Sequence, residues 1–90
     1  MTWPKNKEVT VGNQTVSTTS NKIVRPDHAV IIEATATLGQ VSYTEMWTLP
    51  HHNPSYSQEQ AQKDFDAHLA KVATETVGRA TAHEVSESLE

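Results

Sequence analysis

The stretch HAVIIEATATLGQVSYTEMWTL, residues 28–49, consists of two alternating runs on either side of Gly39-Gln40. Glycine accepts the positive φ of a two-residue hairpin turn, so the stretch predicts a β-hairpin in which Leu38 pairs with Val41. A shift of one residue would mix the two faces, so the register is well specified and one face is expected to be core. That core face is predicted to carry Val30, Ile32, Ala34, Ala36, Leu38, Val41, Tyr43, Glu45, Trp47 and Leu49.

A second alternating segment, EVTVGNQTVST at residues 8–18, surrounds a Gly-Asn pair and predicts an earlier hairpin. Its expected register places Val11 opposite Gln14. The stretch that follows, STTSNKIVRPD at residues 17–27, is polar and ends in Pro-Asp, which is typical of a loop. We therefore expect the connection between the two hairpins to lie in this stretch.

A helix is predicted to start after Ser57, because a serine side chain can cap the first backbone N–H groups and Gln60 follows three residues later. Apolar side chains then recur at spacings of three and four, which is typical of a helix with one apolar stripe. The stripe consists of Ala61, Phe65, Leu69, Val72 and Thr76. Gly78 is expected to end or weaken the helix. Residues 79–90 are then a frayed tail, and we interpret residues 89–90 as a cloning scar.

The element lengths favour one small α+β domain over residues 1–88. A helix from residue 57 to about 77 is roughly 30 Å long, and a strand of ten residues is about 33 Å. The helix can therefore lie along the second hairpin and cover its apolar face. The predicted fold is two antiparallel hairpins forming one sheet, with one C-terminal helix packed on one face, in the order ββββα.

Composition excludes several classes of function. The chain of 90 residues has 7 Lys and Arg against 11 Asp and Glu, a formal net charge of −4. This acidity disfavours nucleic-acid binding, because phosphate neutralisation supplies much of that affinity. Cysteine is absent, which excludes disulfides, thiolate catalysis and cysteine-bound zinc. No apolar run has the roughly 20 residues of a membrane span and the start is too polar for a signal peptide, so we expect a cytoplasmic protein without membrane contact.

Glu45 is the one carboxylate on the predicted core face. A helix that runs back from Leu49 brings residues 66–69 beside Glu45, and His68 lies at the border of the apolar stripe. A Glu–His pair shielded from water can transfer protons, because burial and neighbouring charges shift the pKa of a carboxyl group. The alternative is a structural carboxylate at the sheet margin, with its stem packed and its head in water. Glu45 and His68 are thus a candidate polar site, without a catalytic residue being assigned.

Histidines form a second candidate site. The pairing of Val30 with Leu49 places His28 opposite His51, and His52 follows directly. Neighbouring imidazoles are ligands that zinc and nickel use. A helix-spaced histidine pair is missing, however, and strand pairing is expected to fray beyond the end of the hairpin. We therefore predict a surface histidine cluster without a metal, and no cofactor.

The remaining face of the second hairpin is the predicted binding surface. The sequence has no phosphate-binding loop, nucleophile elbow, kinase motif or zinc-protease motif, so we expect a non-enzymatic protein that binds another protein. It would act as an adaptor, an inhibitor or an assembly subunit, through an exposed apolar centre of Ile31 and Met46 or through a free strand edge. The candidate binding residues are Ile31, Glu33, Thr35, Thr44, Met46 and Thr48.

Two alternatives to this interpretation stay open. The first is a structural subunit of a larger particle such as a virion, which would form a homo-oligomer. The second is a small enzyme or ligand-binding domain that uses Glu45 and His68. A closed multimer in solution would favour the first alternative, and a pocket beside Glu45 would favour the second.

Overall fold

The structure is a computed structural model that describes residues 3–49 and 55–88. These residues form one four-stranded antiparallel sheet with the strand order β1-β2-β3-β4, followed by one helix. The elements are β1 (Lys5–Val11), β2 (Gln14–Val24), β3 (Val30–Leu38), β4 (Val41–Leu49) and α1 (Gln58–Ser88). The predicted α+β class and the order ββββα are confirmed.

Two glycine turns set the register of both hairpins. Gly12 and Gly39 have φ angles of 61° and 62°, and each occupies the first central position of a two-residue turn. A positive φ at that position matches the right-handed twist of the flanking strands. The resulting registers pair Val11 with Gln14 and Leu38 with Val41, as the alternation predicts.

The polar stretch in which we expected the connection between the hairpins is mostly strand. β2 pairs with β3 from Ser17 opposite Thr37 to Val24 opposite Val30, so both hairpins belong to one continuous sheet. The connection is limited to residues 25–29. Pro26 and Asp27 lie in this connection, as predicted. Residues 17–24 belong to β2 in spite of their polarity, because threonine is β-branched and suits a pleated surface as well as a turn.

α1 begins with the predicted serine cap. The Ser57 Oγ accepts a hydrogen bond from the backbone N–H of Gln60 at 3.0 Å. The Gln60 side chain does not return to Ser57, as a capping box requires, but donates to Asp64 Oδ1 at 2.9 Å. The Tyr56 hydroxyl also donates to Asp64, at 2.7 Å. The hydrogen bonds from Tyr56 and then Gln60 hold the pKa of Asp64 below its ordinary value.

The helix does not end near residue 77, and this prediction is wrong. It continues through Gly78 to Ser88. Glycine costs a helix only about 1 kcal/mol relative to alanine, and the Arg79–Glu75 ion pair at 3.1 Å spans the glycine. The helix of 31 residues is about 46 Å long, whereas a strand of nine residues covers about 30 Å. Residues 81–85 are exposed, and Thr81, His83 and Glu84 lie beside the Gly39-Gln40 turn at the end of the sheet.

The core lies between α1 and the two central strands. Most of the strand side chains under the helix are small, which lets the helix axis come close to the sheet. Those that are buried there are Val16, Thr18, Ser20, Ile32, Ala34 and Ala36. The helix contributes Leu69, Val72, Ala73 and Thr76, which are at most 1% exposed. Two buried hydroxyls bond to backbone carbonyls, from Thr76 to Val72 at 2.8 Å and from Thr18 to Lys7 at 2.7 Å.

Two helix valines test this placement of the core. Val72 is fully buried, and Val72→Ala should lower the free energy of unfolding by about 1.5–3 kcal/mol, through the lost methyl burial and the cavity that remains. Val85 is 55% exposed on the last turns of α1, so Val85→Ala should change stability by less than about 0.5 kcal/mol. Urea denaturation followed by circular dichroism measures both. Equal effects would contradict the helix placement.

Candidate functional site

The sheet has one face that α1 leaves uncovered, and we call it the outer face. Strand pairing assigns to it every second residue of each strand. Its members are Asn6, Glu8 and Thr10; Thr15, Ser17, Thr19, Asn21 and Ile23; Ile31, Glu33, Thr35 and Thr37; and Ser42, Thr44, Met46 and Thr48. All six predicted binding residues belong to this set.

Hydroxyl pairs connect neighbouring strands across the outer face. Thr35 Oγ1 and Thr44 Oγ1 are 2.8 Å apart, and Thr37 Oγ1 lies 3.2 Å from Ser42 Oγ. Thr19 Oγ1 donates to Asn6 Oδ1 at 2.9 Å. β-Branched side chains with a hydrogen-bonded hydroxyl have few rotamers left to lose. The outer face is thus stiff before any contact is made.

The apolar part of the outer face differs from the prediction. Met46 is 60% exposed, as expected, but Ile31 is only 9% exposed because it lies between Ile23 and Thr48 on the neighbouring strands. Ile31→Asp would therefore bury a carboxylate and destabilise the fold, so the prediction that Ile31 belongs to an exposed apolar centre is wrong. Ile23 is 40% exposed and is an accessible residue that sequence reasoning missed. The alternation of residues 15–24 was the signal that could have placed it on this face.

The charge of the outer face has one sign. Its only ionisable side chains are Glu8 and Glu33, and neither belongs to an ion pair within the described residues. Glu33 is half-buried between Asn21 and Met46 in the row of paired residues. A carboxylate in this position gives the middle of the outer face a negative potential.

Glu45 lies on the opposite face, under the margin of α1. Its side chain is 21% exposed, and Oε1 accepts a hydrogen bond from Lys71 Nζ at 3.1 Å. No hydrogen bond or ion pair joins Glu45 to His68. His68 stacks on the indole of Trp47, with ring centroids 4.2 Å apart and planes 11° from parallel. The structure therefore lacks the predicted Glu45–His68 pair. The helix residue that reaches Glu45 is Lys71, which lies about one helical turn after His68.

Lys71 is the polar partner that sequence reasoning missed. The carboxylate of Glu45 raises the pKa of Lys71, through the hydrogen bond first and the direct charge interaction second. A lysine whose charge is held by a carboxylate is a poor proton acceptor at neutral pH. The second oxygen of Glu45, Oε2, is buried and has no hydrogen-bond partner among the described residues. This arrangement is that of a structural ion pair at the sheet margin.

The histidine cluster falls largely outside the described residues. His51 and His52 lie there, whereas His28 is exposed in the turn between β2 and β3, with a φ of 68°. Within residues 3–49 and 55–88, no group of three His, Asp or Glu side chains is placed to hold a metal ion.

In the same residues, no helix has the length and apolar character needed to cross a membrane.

Comparison with protein-family models, curated protein sequences and solved structures finds no significant match for this chain. The function is therefore inferred from the surfaces that the fold presents. Among these, the outer face extends over all four strands and has no covering element within the described residues.

A double-mutant cycle tests the assignment of Lys71 as the partner of Glu45. Glu45→Gln and Lys71→Met, singly and combined, should show a coupling of about 0.5–1 kcal/mol in the free energy of unfolding, since the lysine is mostly exposed and screened. The matched cycle of Glu45→Gln with His68→Ala should show no coupling. Coupling to His68 and none to Lys71 would restore the Glu–His site.

Proposed function

We propose that this chain is a non-enzymatic protein-binding module and that its outer face is the binding surface. The proposal rests on the observation that only one face of the sheet is covered. α1 packs on that face, and the other face presents Met46 and Ile23 among hydroxyl groups. Apolar residues inside a polar rim are the usual composition of a protein interface. Exposed methionine also adapts its shape to a partner at little cost.

The size of the outer face favours a transient contact. Four strands spaced about 4.8 Å apart and about 30 Å long give a surface of roughly 500–600 Å². A standard interface takes about 800 Å² from each partner. The outer face alone thus corresponds to a small interface, in which a few central residues supply most of the binding energy. Met46 on the edge strand β4 and Ile23 near the end of β2 are the exposed apolar residues proposed for this role.

The charge of the outer face indicates which partner it fits. A second copy of the chain would bring Glu8 and Glu33 towards the same two carboxylates, with no cation on either surface to offset them. A different protein with Lys or Arg around an apolar contact is complementary instead. We therefore propose a basic and apolar surface of another protein as the partner.

A non-catalytic role is consistent with the polar groups of the opposite face. Glu45 is paired with Lys71, and His68 is stacked on Trp47, so the two residues do not form an acid–base pair. A general base needs hydrogen-bond reach to the proton that it removes. The contacts fit a structural role for both side chains, and binding through the outer face does not depend on them.

A second candidate is assembly through the edge of β4, which corresponds to the subunit interpretation. In a two-residue hairpin, the residues that flank the turn form a hydrogen-bonded pair. The backbone groups of Val41 and alternate residues after it therefore face β3, and those of Thr44 and Met46 face the open edge. β4 carries one charged residue in nine, whereas β1 carries three in seven. The less protected edge is the one open to strand addition.

Four substitutions test the outer face against the edge. Met46→Asp and Glu33→Lys should each weaken binding of the partner by about tenfold or more, because one places a charge at an exposed apolar residue and the other reverses the potential. Thr44→Pro removes an edge N–H together with the hydroxyl pair to Thr35, whereas Thr44→Val removes only the hydroxyl pair, so outer-face binding should be alike in these two variants. The partner is recovered from a lysate of the native cells, identified, purified and titrated by calorimetry.

Val85→Asp is the matched control, because Val85 is another exposed apolar residue but lies on α1. It should bind as wild type does. Circular dichroism and the melting temperature establish that each variant is folded. Loss of binding in Thr44→Pro alone would favour the edge, and unchanged binding in both Met46→Asp and Glu33→Lys would refute the outer face.

A further inference from the structure

A cleft of about 430 Å³ opens where the first turns of α1 meet the strand ends. Its apolar wall includes Trp3, Leu49, Ala61 and Phe65. The volume lies within the range of small-molecule sites, which are mostly apolar with a few convergent polar groups. The cleft lies on the helix side of the sheet, so it is separate from the outer face.

Aromatic rings form one side of the cleft. The rings of Trp3 and Phe65 have centroids 6.0 Å apart, with planes tilted by 44°. Phe65 in turn packs edge-on against Trp47, at 6.1 Å. Both cleft rings are only half-buried, although Phe65 belongs to the stripe that packs on the sheet. Exposed aromatic surface in a concave site is suited to a planar apolar ligand.

Two lysines converge on the same cleft. Lys5 is paired with Ser20, and Lys22 lies two residues further along the same face of β2. Diagonal neighbours on a sheet are about 7–8 Å apart, so the ammonium groups of both lysines can bind the same functional group of a ligand. The Lys5 ammonium lies 5.0 Å from the centre of the Trp3 ring and 5.3 Å from that of Phe65. It is thereby held beside the aromatic wall.

Neither lysine has a carboxylate partner among the residues that the structure describes. The ion pairs of residues 3–49 and 55–88 involve Lys7, Lys63, Lys71 and Arg79, but not Lys5 or Lys22. The acidic residue in the first turn of α1, Glu59, pairs with Lys63. Gln58, the first residue of α1, also lines the cleft and brings the positive end of the helix dipole to it. In an acidic chain this is a concentration of uncompensated positive charge.

We propose that the cleft binds a small aromatic carboxylate. The aromatic ring of the ligand packs against Trp3 and Phe65, and its carboxylate accepts charge-assisted hydrogen bonds from Lys22 and Lys5. Such bonds are about twice as strong as neutral ones, and an ionised carboxylate can accept from both lysines at once. A neutral aromatic molecule would leave the two cations uncompensated, and inorganic phosphate would leave the aromatic wall exposed.

An NMR titration of the ¹⁵N-labelled chain with 4-phenylbutyrate tests this site. Shift changes should be confined to the cleft, including the Trp3 indole and the amides of Lys22, Leu49 and Phe65. The alcohol of the same skeleton, 4-phenylbutan-1-ol, should bind about tenfold more weakly. Inorganic phosphate should cause no comparable change. Equal binding of acid and alcohol, equal binding of phosphate, or shifts elsewhere would overturn the proposal, as would no shifts at millimolar ligand.

Variants of the exposed Lys22 separate charge from packing. Lys22→Met should weaken 4-phenylbutyrate binding by about tenfold while leaving the alcohol unchanged, and Lys22→Arg should retain most of the affinity. Lys63→Met is the matched control on the exposed side of α1 and should bind as wild type does. If Lys22→Met and Lys63→Met have equal effects, the lysines of the cleft do not recognise the carboxylate.

Discussion

The close packing of α1 on the central strands is the interaction on which the other features depend. Strand residues with small side chains, such as Val16 and Ala36, pack against the buried helix residues Val72 and Ala73. Because the helix axis can approach there, one face of the sheet is sealed from water and the other remains free. The larger side chains, such as Trp47, lie near the start of the helix, where packing is less complete. The outer face and the aromatic cleft both result from this arrangement.

Much of the fold was predictable because the turn residues and the alternation of apolar side chains indicate the same strand pairing. Gly39 requires a turn, and the alternation around it admits one register, so the pairing of β3 with β4 follows from the sequence. The second half of β2 was not predictable in the same way, since hydroxyl and amide residues suit a loop as well as a wet strand face. We underestimated the length of α1 because the free-energy cost of one glycine is smaller than the stabilisation that the helical residues on both sides of it provide.

The candidate sites were less predictable, because each depends on contacts between distant segments. The exposure of Met46 follows from its strand alone, but the burial of Ile31 depends on β2 lying beside it. The partner of Glu45 changes from His68 to Lys71 with a shift of one helical turn. The cleft joins Trp3, which precedes β1, to Phe65 on α1, and no local pattern brings these two residues together.

A comparison of two neighbouring residues on β3 tests the one-sided packing most directly. Ala36 is fully buried under α1, and Thr37 is exposed on the outer face. The free energy of unfolding of Ala36→Leu and Thr37→Leu is measured by urea denaturation. A leucine at residue 36 should cost about 1–3 kcal/mol, because it overfills the space under the helix, and a leucine at residue 37 should change stability by less than about 0.5 kcal/mol. Equal tolerance of leucine at both positions would contradict the close approach of the helix and the separation of the two faces.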